Sequence, residues 1–230
     1  MVLGVIGSGS DGNCYYLRND RECLVLDAGI TFKKTVKGLD YRVSDISGVL
    51  VTHSHVDHSY AIKDFLKYGI KVGGNPDIEG ITGLLPKHKY KIGGFTIVPF
   101  DVPHDDCPCY AYLIWHSDIE GCLLYATDFG YLPHNLKNFN IGTMLIECNH
   151  QDKYLPEEEY KFRHSAVGHS ELETVKKIIE ADKTEYLRNI VLCHLSRNAA
   201  EPEEMREEIA EISGKNVKVF IASPGLKIQI

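Results

Sequence analysis

Residues 49–58 read Val-Leu-Val-Thr-His-Ser-His-Val-Asp-His, an apolar run that ends in three histidines and an aspartate. Side chains two residues apart in an extended segment face the same side, so His53 and His55 can hold one cation together. Asp57 and His58 open the following predicted helix, beside the first pair, where they can serve a second cation. Imidazole and carboxylate ligands suit zinc, and manganese or iron also accept them. The segment therefore predicts a metal site with room for two divalent ions.

Three further candidate ligands each follow an apolar segment that predicts a buried strand: His104, Asp128 and His194. The ends of neighbouring strands often share one rim of a sheet, and α/β proteins gather their functional side chains there. We therefore expect these three residues to join the histidine cluster.

Strands and helices alternate through most of the chain. Strands are predicted near 2–6, 13–18, 22–27, 48–52, 70–73, 88–92, 95–101, 109–116, 121–127, 143–148, 189–194 and 217–221. Helices are predicted near 31–38, 57–68, 75–84, 157–162, 170–182 and 202–213. Ser170 and Glu173 form a capping-box pattern, which places His169 just before a helix. The order fits an α/β protein in which two sheets pack face to face with helices outside.

Composition limits the class of protein. A chain of 230 residues with 43% hydrophobic content can bury a substantial core, and no linker interrupts it, so we expect a single domain over 1–230. Seven cysteines in such a chain are expected to be reduced thiols. With neither a basic, apolar leader nor a long apolar stretch, we expect a cytoplasmic protein with no membrane partner. The sequence leaves the oligomeric state open.

Residues 7–12 match the glycine pattern of dinucleotide-binding loops, Gly-x-Gly-x-x-Gly, and Asp27 lies where a ribose-binding acid would fall. That reading requires a strand before the loop and a helix after it. Residues 13–18 are instead rich in strand formers and lead into another strand. We therefore interpret the segment as a hairpin loop at the rim of the metal site and expect no nucleotide cofactor.

The motifs, taken in order, resemble those of the metallo-β-lactamase fold over essentially the whole chain. They are Asp27 in Leu-Val-Leu-Asp-Ala-Gly, the histidine cluster, His104, Asp128 in Thr-Asp-Phe-Gly, and His194. The resemblance implies an αββα four-layer sandwich. It also implies a dinuclear metal centre.

In that centre the resemblance assigns one ion to His53, His55 and His104, and the other to Asp57, His58 and His194. Asp128 would bridge the two ions. Asp27 would not touch a metal but would orient a ligating imidazole.

Several positions indicate the branch of the fold. Asp128 stands where antibiotic-hydrolysing lactamases typically carry a cysteine, and His55 where oxygen-reducing diiron flavoproteins carry glutamate. Gly-His-Ser at 168–170 is similar to the tRNase Z-like phosphodiesterases, in which an acidic residue resembling Glu147 pairs with that histidine. The glycine-rich opening is most similar to the YycJ-like group, which is regarded as DNA exonucleases.

The resemblance therefore implies a dinuclear-metal phosphodiesterase, most directly a DNA exonuclease, in which a metal-bridging hydroxide attacks a phosphodiester. Asp57, His169 and Glu147 are the candidate catalytic residues. His169 would protonate the leaving oxygen, and Glu147 would orient it and raise its pKa.

Three alternatives stay open at this point. The first is a phosphodiesterase for small cyclic nucleotides. A thioesterase of the glyoxalase type shares the histidine cluster, although it should not need His169 and Glu147. The third is a catalytically silent nucleic-acid-binding protein, which the complete set of ligands disfavours. Pre-tRNA processing is disfavoured because the chain has no Gly- and Pro-rich arm for gripping tRNA.

Charge does not settle the substrate. The formal net charge of −7 gives no general attraction to a polyanion. Two groups of lysines can follow a phosphate backbone or can simply be solvated surface: Lys63, Lys67 and Lys71, and Lys87, Lys89 and Lys91. His150 is left open between a place near the site and a place in solvent.

Overall fold

Two sheets form in the computed structural model, which describes residues 1–105, 107–155 and 168–230. The first sheet has the strand order β14-β1-β2-β3-β4-β5-β6. Its strands are β1 (Val2–Gly7), β2 (Cys14–Arg18), β3 (Cys23–Leu26), β4 (Ile46–Val51), β5 (Val72–Gly74), β6 (Thr82–Gly83) and β14 (Lys227–Gln229).

The second sheet also has seven strands, in the order β13-β12-β11-β10-β9-β8-β7. They are β7 (Tyr90–Ile92), β8 (Phe95–Val102), β9 (Cys109–Trp115), β10 (Cys122–Ala126), β11 (Ile141–Glu147), β12 (Asn189–Cys193) and β13 (Lys218–Ile221).

Each sheet has an antiparallel part and a parallel part. Strands β1, β2 and β3 pair antiparallel, whereas β3 to β6 run parallel. In the second sheet β7 to β10 pair antiparallel and β10 to β13 run parallel. Parallel strands end at a common edge, and the two antiparallel pairings from β8 to β10 also bring the end of β8 to that edge. Every candidate ligand follows the end of one of these strands.

The described part of the chain has five helices: α1 (Phe32–Gly38), α2 (Val56–Ser59), α3 (Ile62–Lys67), α4 (Leu172–Asp182) and α5 (Pro202–Ser213). The short α2 lies at the rim where β4 ends, and the other four pack on the outer faces of the sheets. On α3, Phe65 packs with Val49 and Val51 of the first sheet. A second apolar layer joins α4 and α5 to the outer face of the second sheet. A third layer, between the sheets, includes Leu24, Phe95 and Tyr112. These layers confirm the predicted αββα sandwich.

Two predicted helices were wrong in detail. Residues 75–84 form turns and the short strand β6, because the Asn75 side chain accepts from the Asp77 amide and Gly80 has φ +82. The helix expected over 57–68 is two helices, and the Ala61 amide between them donates to Ala28 instead. The expected helix over 157–162 lies outside the described residues.

The capping box was also wrong. The Ser170 hydroxyl is buried and donates to the Phe129 carbonyl, so it is not free to cap a helix. The carboxylate of Glu171 accepts from the Glu173 and Thr174 amides instead and starts α4. Among the described residues, every helix is too short or too polar to cross a bilayer.

Candidate metal centre

All seven candidate ligands meet at the rim where the strands end. They form two groups that share Asp128, and within each group one donor atom per residue lies within 4.8 Å of the others. The first group is His53, His55, His104 and Asp128, and the second is Asp57, His58, Asp128 and His194. The grouping matches the two sets that the sequence resemblance implies.

The backbone turns sharply where three of the site residues leave their strands. Asp27 follows β3 with φ +59, Asp128 follows β10 with φ +53, and His194 follows β12 with φ +53. Residues other than glycine rarely adopt this left-handed conformation, and such outliers are concentrated at functional sites. These left-handed residues could not be predicted, because aspartate and histidine tolerate the conformation without requiring it.

His53 fits a metal ligand. Its side chain is buried, and its Nε2 atom has no hydrogen-bond partner among the residues that the structure describes. Burial, together with the neighbouring His58, lowers the pKa of His53 to about 2. The imidazole is therefore neutral at physiological pH, with a nitrogen lone pair aimed into the cluster, the form in which histidine binds a metal.

The negative charge of the buried carboxylates in the cluster has to be balanced by nearby positive charge. One Asp128 oxygen lies 3.2 Å from His58 Nε2, and the other lies 3.5 Å from His194 Nδ1. Burial alone would lower the pKa of His194, yet Asp128, Asp57 and Glu147 raise it to about 10. Burial alone would also lower the pKa of His58, yet Asp128 and Asp27 raise it well above its usual range. These carboxylates and imidazoles are a donor set for a divalent cation, which would supply the positive charge that protons otherwise provide.

Asp27 holds one side of His58. Its Oδ2 atom lies 2.6 Å from His58 Nδ1 and also accepts from the Tyr125 hydroxyl, while Oδ1 accepts from the Thr52 amide at 2.8 Å. The opposite nitrogen of His58 faces Asp128. A carboxylate that fixes the outer nitrogen of an imidazole orients the inner one toward a metal.

The glycine-rich loop between β1 and β2 closes another side of the cluster, as the hairpin interpretation predicted. Asn13 is buried, and its side-chain amide lies 2.9 Å from His58 Nε2. The Asn13 backbone amide donates to the Asp57 carbonyl, and its carbonyl accepts from Gly29. A Cβ atom at Gly29 would lie 1.6 Å from that Asp57 carbonyl oxygen. Only a glycine therefore allows the segments around residues 29 and 57 to approach this closely.

Sequence reasoning missed Asn13, Thr52 and Tyr125 as parts of the site. Thr52 contacts both Asp27 and the ring nitrogens of His53 and His58. Its position between the apolar run and the first histidine was the only local signal. The contact of Tyr125 crosses between the two sheets, so only the fold reveals it.

A second pair lies beside the ligands. The buried Glu147 has one oxygen 2.8 Å from His169 Nδ1 and 3.0 Å from His194 Nδ1. Its other oxygen accepts from the Phe129 and Ser170 amides, both at 3.2 Å. Burial alone would lower the pKa of His169, but the Glu147 carboxylate raises it.

An open cleft of about 890 Å³ gives access to the cluster. Asp57, His104, Asp128 and His169 all line it, so ligands and the second pair face one space. His150 is buried but belongs to neither of the two donor groups that share Asp128.

The chain is similar in sequence to several known proteins. A model described as the metallo-beta-lactamase superfamily matches residues 7–94. The chain is 28% identical to exodeoxyribonuclease YycJ of Bacillus anthracis, over 91% of this chain and 88% of that protein. It is 27% identical to exodeoxyribonuclease WalJ of Streptococcus pneumoniae, over 96% of this chain and 93% of that protein.

Solved structures show the same fold. The metallo-beta-lactamase fold protein YhfI of Bacillus subtilis superimposes with a TM-score of 0.77 at 19% identity, over 99% of this chain and 98% of that one. The chain therefore carries a metallo-β-lactamase domain and fold, and it is a metal-dependent hydrolase with distant relatives among proteins named exodeoxyribonucleases.

Proposed function

We propose that this hydrolase is a dinuclear phosphodiesterase of the nuclease type, acting as a DNA exonuclease. The observation that carries the proposal is the pair of donor groups sharing Asp128 in an open cleft, with Glu147 and His169 beside them. The names of the curated relatives support DNA as the substrate. The proposal takes residues 1–230 as one domain.

In this proposal His53, His55 and His104 would hold one divalent ion, Asp57, His58 and His194 would hold the other, and Asp128, which belongs to both donor groups, would be a ligand that the two sites share. Zinc suits these nitrogen and oxygen donors, with manganese or iron as alternatives. When bound, two such ions lower the pKa of a water molecule and balance the charge of the phosphodiester.

Asp57 is also the proposed proton acceptor. Its side chain is 25% exposed, more than that of any other carboxylate in the donor groups, and it lines the cleft. A carboxylate placed there can accept a proton from the attacking water. The backbone carbonyl of the same residue is fixed by Asn13, which keeps the side chain in place.

His169 is the proposed general acid. Its Nδ1 atom is held by Glu147, so Nε2 is left to face the cleft that the ring lines. Because its pKa is raised, the imidazole of His169 stays protonated to a higher pH than a free histidine does. As an imidazolium it can donate its proton to the leaving oxygen as the bond to phosphorus breaks. Glu147 acts through His169 and is a positioning residue.

The geometry also bears on the alternatives. A thioesterase would have no evident use for the Glu147–His169 pair, whose hydrogen bond is 2.8 Å long. A silent binding protein would not need seven converging donors with a buried, unpartnered His53 nitrogen among them. The cleft is open, which suits a polymer as well as a small cyclic nucleotide.

A substrate panel tests the proposal. Metal-loaded protein is incubated with end-labelled linear DNA in single- and double-stranded form, with covalently closed circular single-stranded DNA, with RNA and with cyclic mononucleotides. We expect mononucleotide release from linear DNA and no cleavage of the circle, because an exonuclease needs an end. Cleavage of cyclic mononucleotides alone would overturn the nuclease proposal, and cleavage of the circle would overturn the exonuclease part of it.

A further inference from the structure

A row of lysines lies along the free edge of the second sheet. Lys91 is in β7, the last strand of that sheet, and Lys89 and Lys87 precede it at alternate positions. Alternate residues of an extended chain face the same side. The register pairs Lys91 with Thr96 of β8, which pairs with Trp115 of β9. Lys91 therefore shares the outer face of the sheet with Trp115. Lys89 and Lys87 line the cavity beside it, and Lys87 does so from the turn before β7, where its φ is +63.

Aromatic rings form the other wall of a groove beside this row. A cavity of about 540 Å³ is lined by Lys87 and Lys89 on one side and by Phe100, Trp115 and Phe139 on the other. The Phe139 ring centroid lies 6.1 Å from that of Phe100 and 6.1 Å from that of Trp115. Phe139 is 37% exposed. None of the helices described above contributes a residue to the lining of this cavity.

The groove continues past Trp115 with more positive charge. A neighbouring cavity of about 430 Å³ shares Trp115 and is lined by Lys91 and Arg21. The acid on its wall, Glu22, already accepts hydrogen bonds from Ser47 and the Gly94 amide, and its other oxygen lies 3.2 Å from a His116 nitrogen. Across the two cavities the lining carries Lys87, Lys89, Lys91 and Arg21 against the single acid Glu22, so cations predominate next to the aromatic faces.

We propose that this edge groove binds a single strand of nucleic acid, with the lysines on successive phosphates and the bases against the aromatic wall. Single-strand sites combine a basic track with aromatic side chains on which bases stack. Alternate strand residues are about 6.7 Å apart, comparable to the phosphate spacing of an extended single strand. Lysines on an edge strand also discourage pairing with another chain, but that role requires no aromatic cavity beside them.

The inference rests on the proposed function in one respect, namely that the bound strand is the substrate of the metal centre. Phe100 lies in the groove, and His104 lies in the cleft four residues further along the same chain. Four extended residues span at most about 14 Å. The groove and the cleft therefore come within about 14 Å of each other along this segment, a distance that a few nucleotides of a bound strand can span.

Trp115 provides a direct measurement, because it is the chain's one tryptophan. The full-length protein is titrated with a twelve-nucleotide oligo(dT) in a chelator-containing buffer, where no cleavage takes place. We expect saturable quenching of the tryptophan fluorescence by oligo(dT), and little quenching by a blunt duplex hairpin of equal charge, whose bases are not free to stack.

Two matched triple variants separate the groove from general electrostatics. The groove variant carries Lys87→Gln, Lys89→Gln and Lys91→Gln. The control variant removes the same charge from three exposed lysines elsewhere: Lys177, Lys215 and Lys218. Binding of a labelled oligonucleotide is followed by fluorescence anisotropy at several salt concentrations.

The groove variant should bind at least about tenfold more weakly, with a log–log salt slope reduced by about 2, since each single-strand phosphate contact contributes about 0.7 to the slope. The control variant should change affinity less than about twofold, because its lysines lie off the track. Equal weakening by the two variants would overturn the proposal, and so would oligo(dT) binding that leaves Trp115 fluorescence unchanged.

An oligoglutamate peptide is the remaining arm of the test. Quenching by this peptide as strong as that by oligo(dT) would show that the groove recognises negative charge alone, which also overturns the proposal. Because binding is measured without metal, its outcome is independent of hydrolysis. If the protein cleaves DNA but Trp115 shows no quenching, the groove proposal alone is overturned. If Trp115 is quenched but no DNA is hydrolysed, only the proposed nuclease activity is contradicted.

Discussion

The two sheets supply the proposed metal centre in different ways. The first sheet contributes four candidate ligands from the single loop and short helix after β4, within residues 53–58. The second sheet contributes His104, Asp128 and His194, each after a different strand, so they are far apart in sequence. Each donor group draws on both sheets. The comparison teaches that one loop marks the site in the sequence, whereas the fold completes it.

Asp128 belongs to both donor groups, so its substitution should have the largest effect on metal content and turnover. We expect Asp128→Asn to lower the metal content from two equivalents to one or fewer and turnover by about 10⁴-fold, equivalent to about 5 kcal/mol. Elemental analysis and mononucleotide release measure the two quantities. The control is Asp101→Asn, an exposed aspartate on β8. Two retained equivalents with normal turnover would mean that Asp128 is not shared.

The proposed proton donor, His169, lies between β11 and β12 of the second sheet and is held by Glu147 of β11. We expect His169→Ala to slow DNA hydrolysis by about 10²- to 10³-fold while leaving the metal content intact. A diester with a nitrophenolate leaving group needs no protonation, so its hydrolysis should fall by much less. Equal losses on both substrates, or loss of metal, would assign His169 a structural role.

Metal that bridges the two sheets should stabilise the folded chain. At a free metal concentration of 100 times Kd, binding adds about 2.7 kcal/mol per site to the free energy of unfolding. For a chain of this size that corresponds to a rise in Tm of about 5–10 °C for each site, or about 10–20 °C with both sites filled. Thermal unfolding with zinc and with excess chelator measures the difference. The Asp128→Asn protein should show less of it, and an unchanged Tm in the native protein would argue against the bridge.

The smallest effect is expected for the residue that orients a first-sheet ligand from outside the donor groups. Asp27→Asn should weaken metal affinity by about tenfold to a hundredfold, because His58 loses the carboxylate that fixes its outer nitrogen. Competition with a chromogenic chelator measures the affinity. Tyr125→Phe is the matched control, since it removes one hydrogen bond to Asp27 but keeps the charge. A larger loss in the control than in Asp27→Asn would contradict the assigned role.

Most strands could be predicted from the sequence, because their apolar runs are long and are bounded by turns. The failed helix at 75–84 has a local cause, the turn at Asn75 and Gly80, whereas the other two failures share a long-range contact that competes with a local pattern. Ala61 breaks a continuous helical pattern by donating to Ala28, and the Ser170 hydroxyl leaves its capping position for Phe129. No local pattern encodes either partner.

The candidate site divides along the same line. Histidines at close spacing identify themselves, and His104, Asp128 and His194 could be chosen because each follows an apolar run. Asn13 and Tyr125 could not be found, since their importance depends on the β1–β2 loop and the second sheet approaching the cluster. The Glu147–His169 pair was predicted only through resemblance to a family.

Gly29 makes the geometry of the ligands depend on an atom that is missing. With a methyl group at this position the carbonyl of Asp57 would have to retreat, and the short helix that bears two of the donors would move with it. Gly29→Ala is thus expected to abolish metal binding although every donor side chain is intact. Mutational surveys that score only the metal-binding side chains would overlook this position.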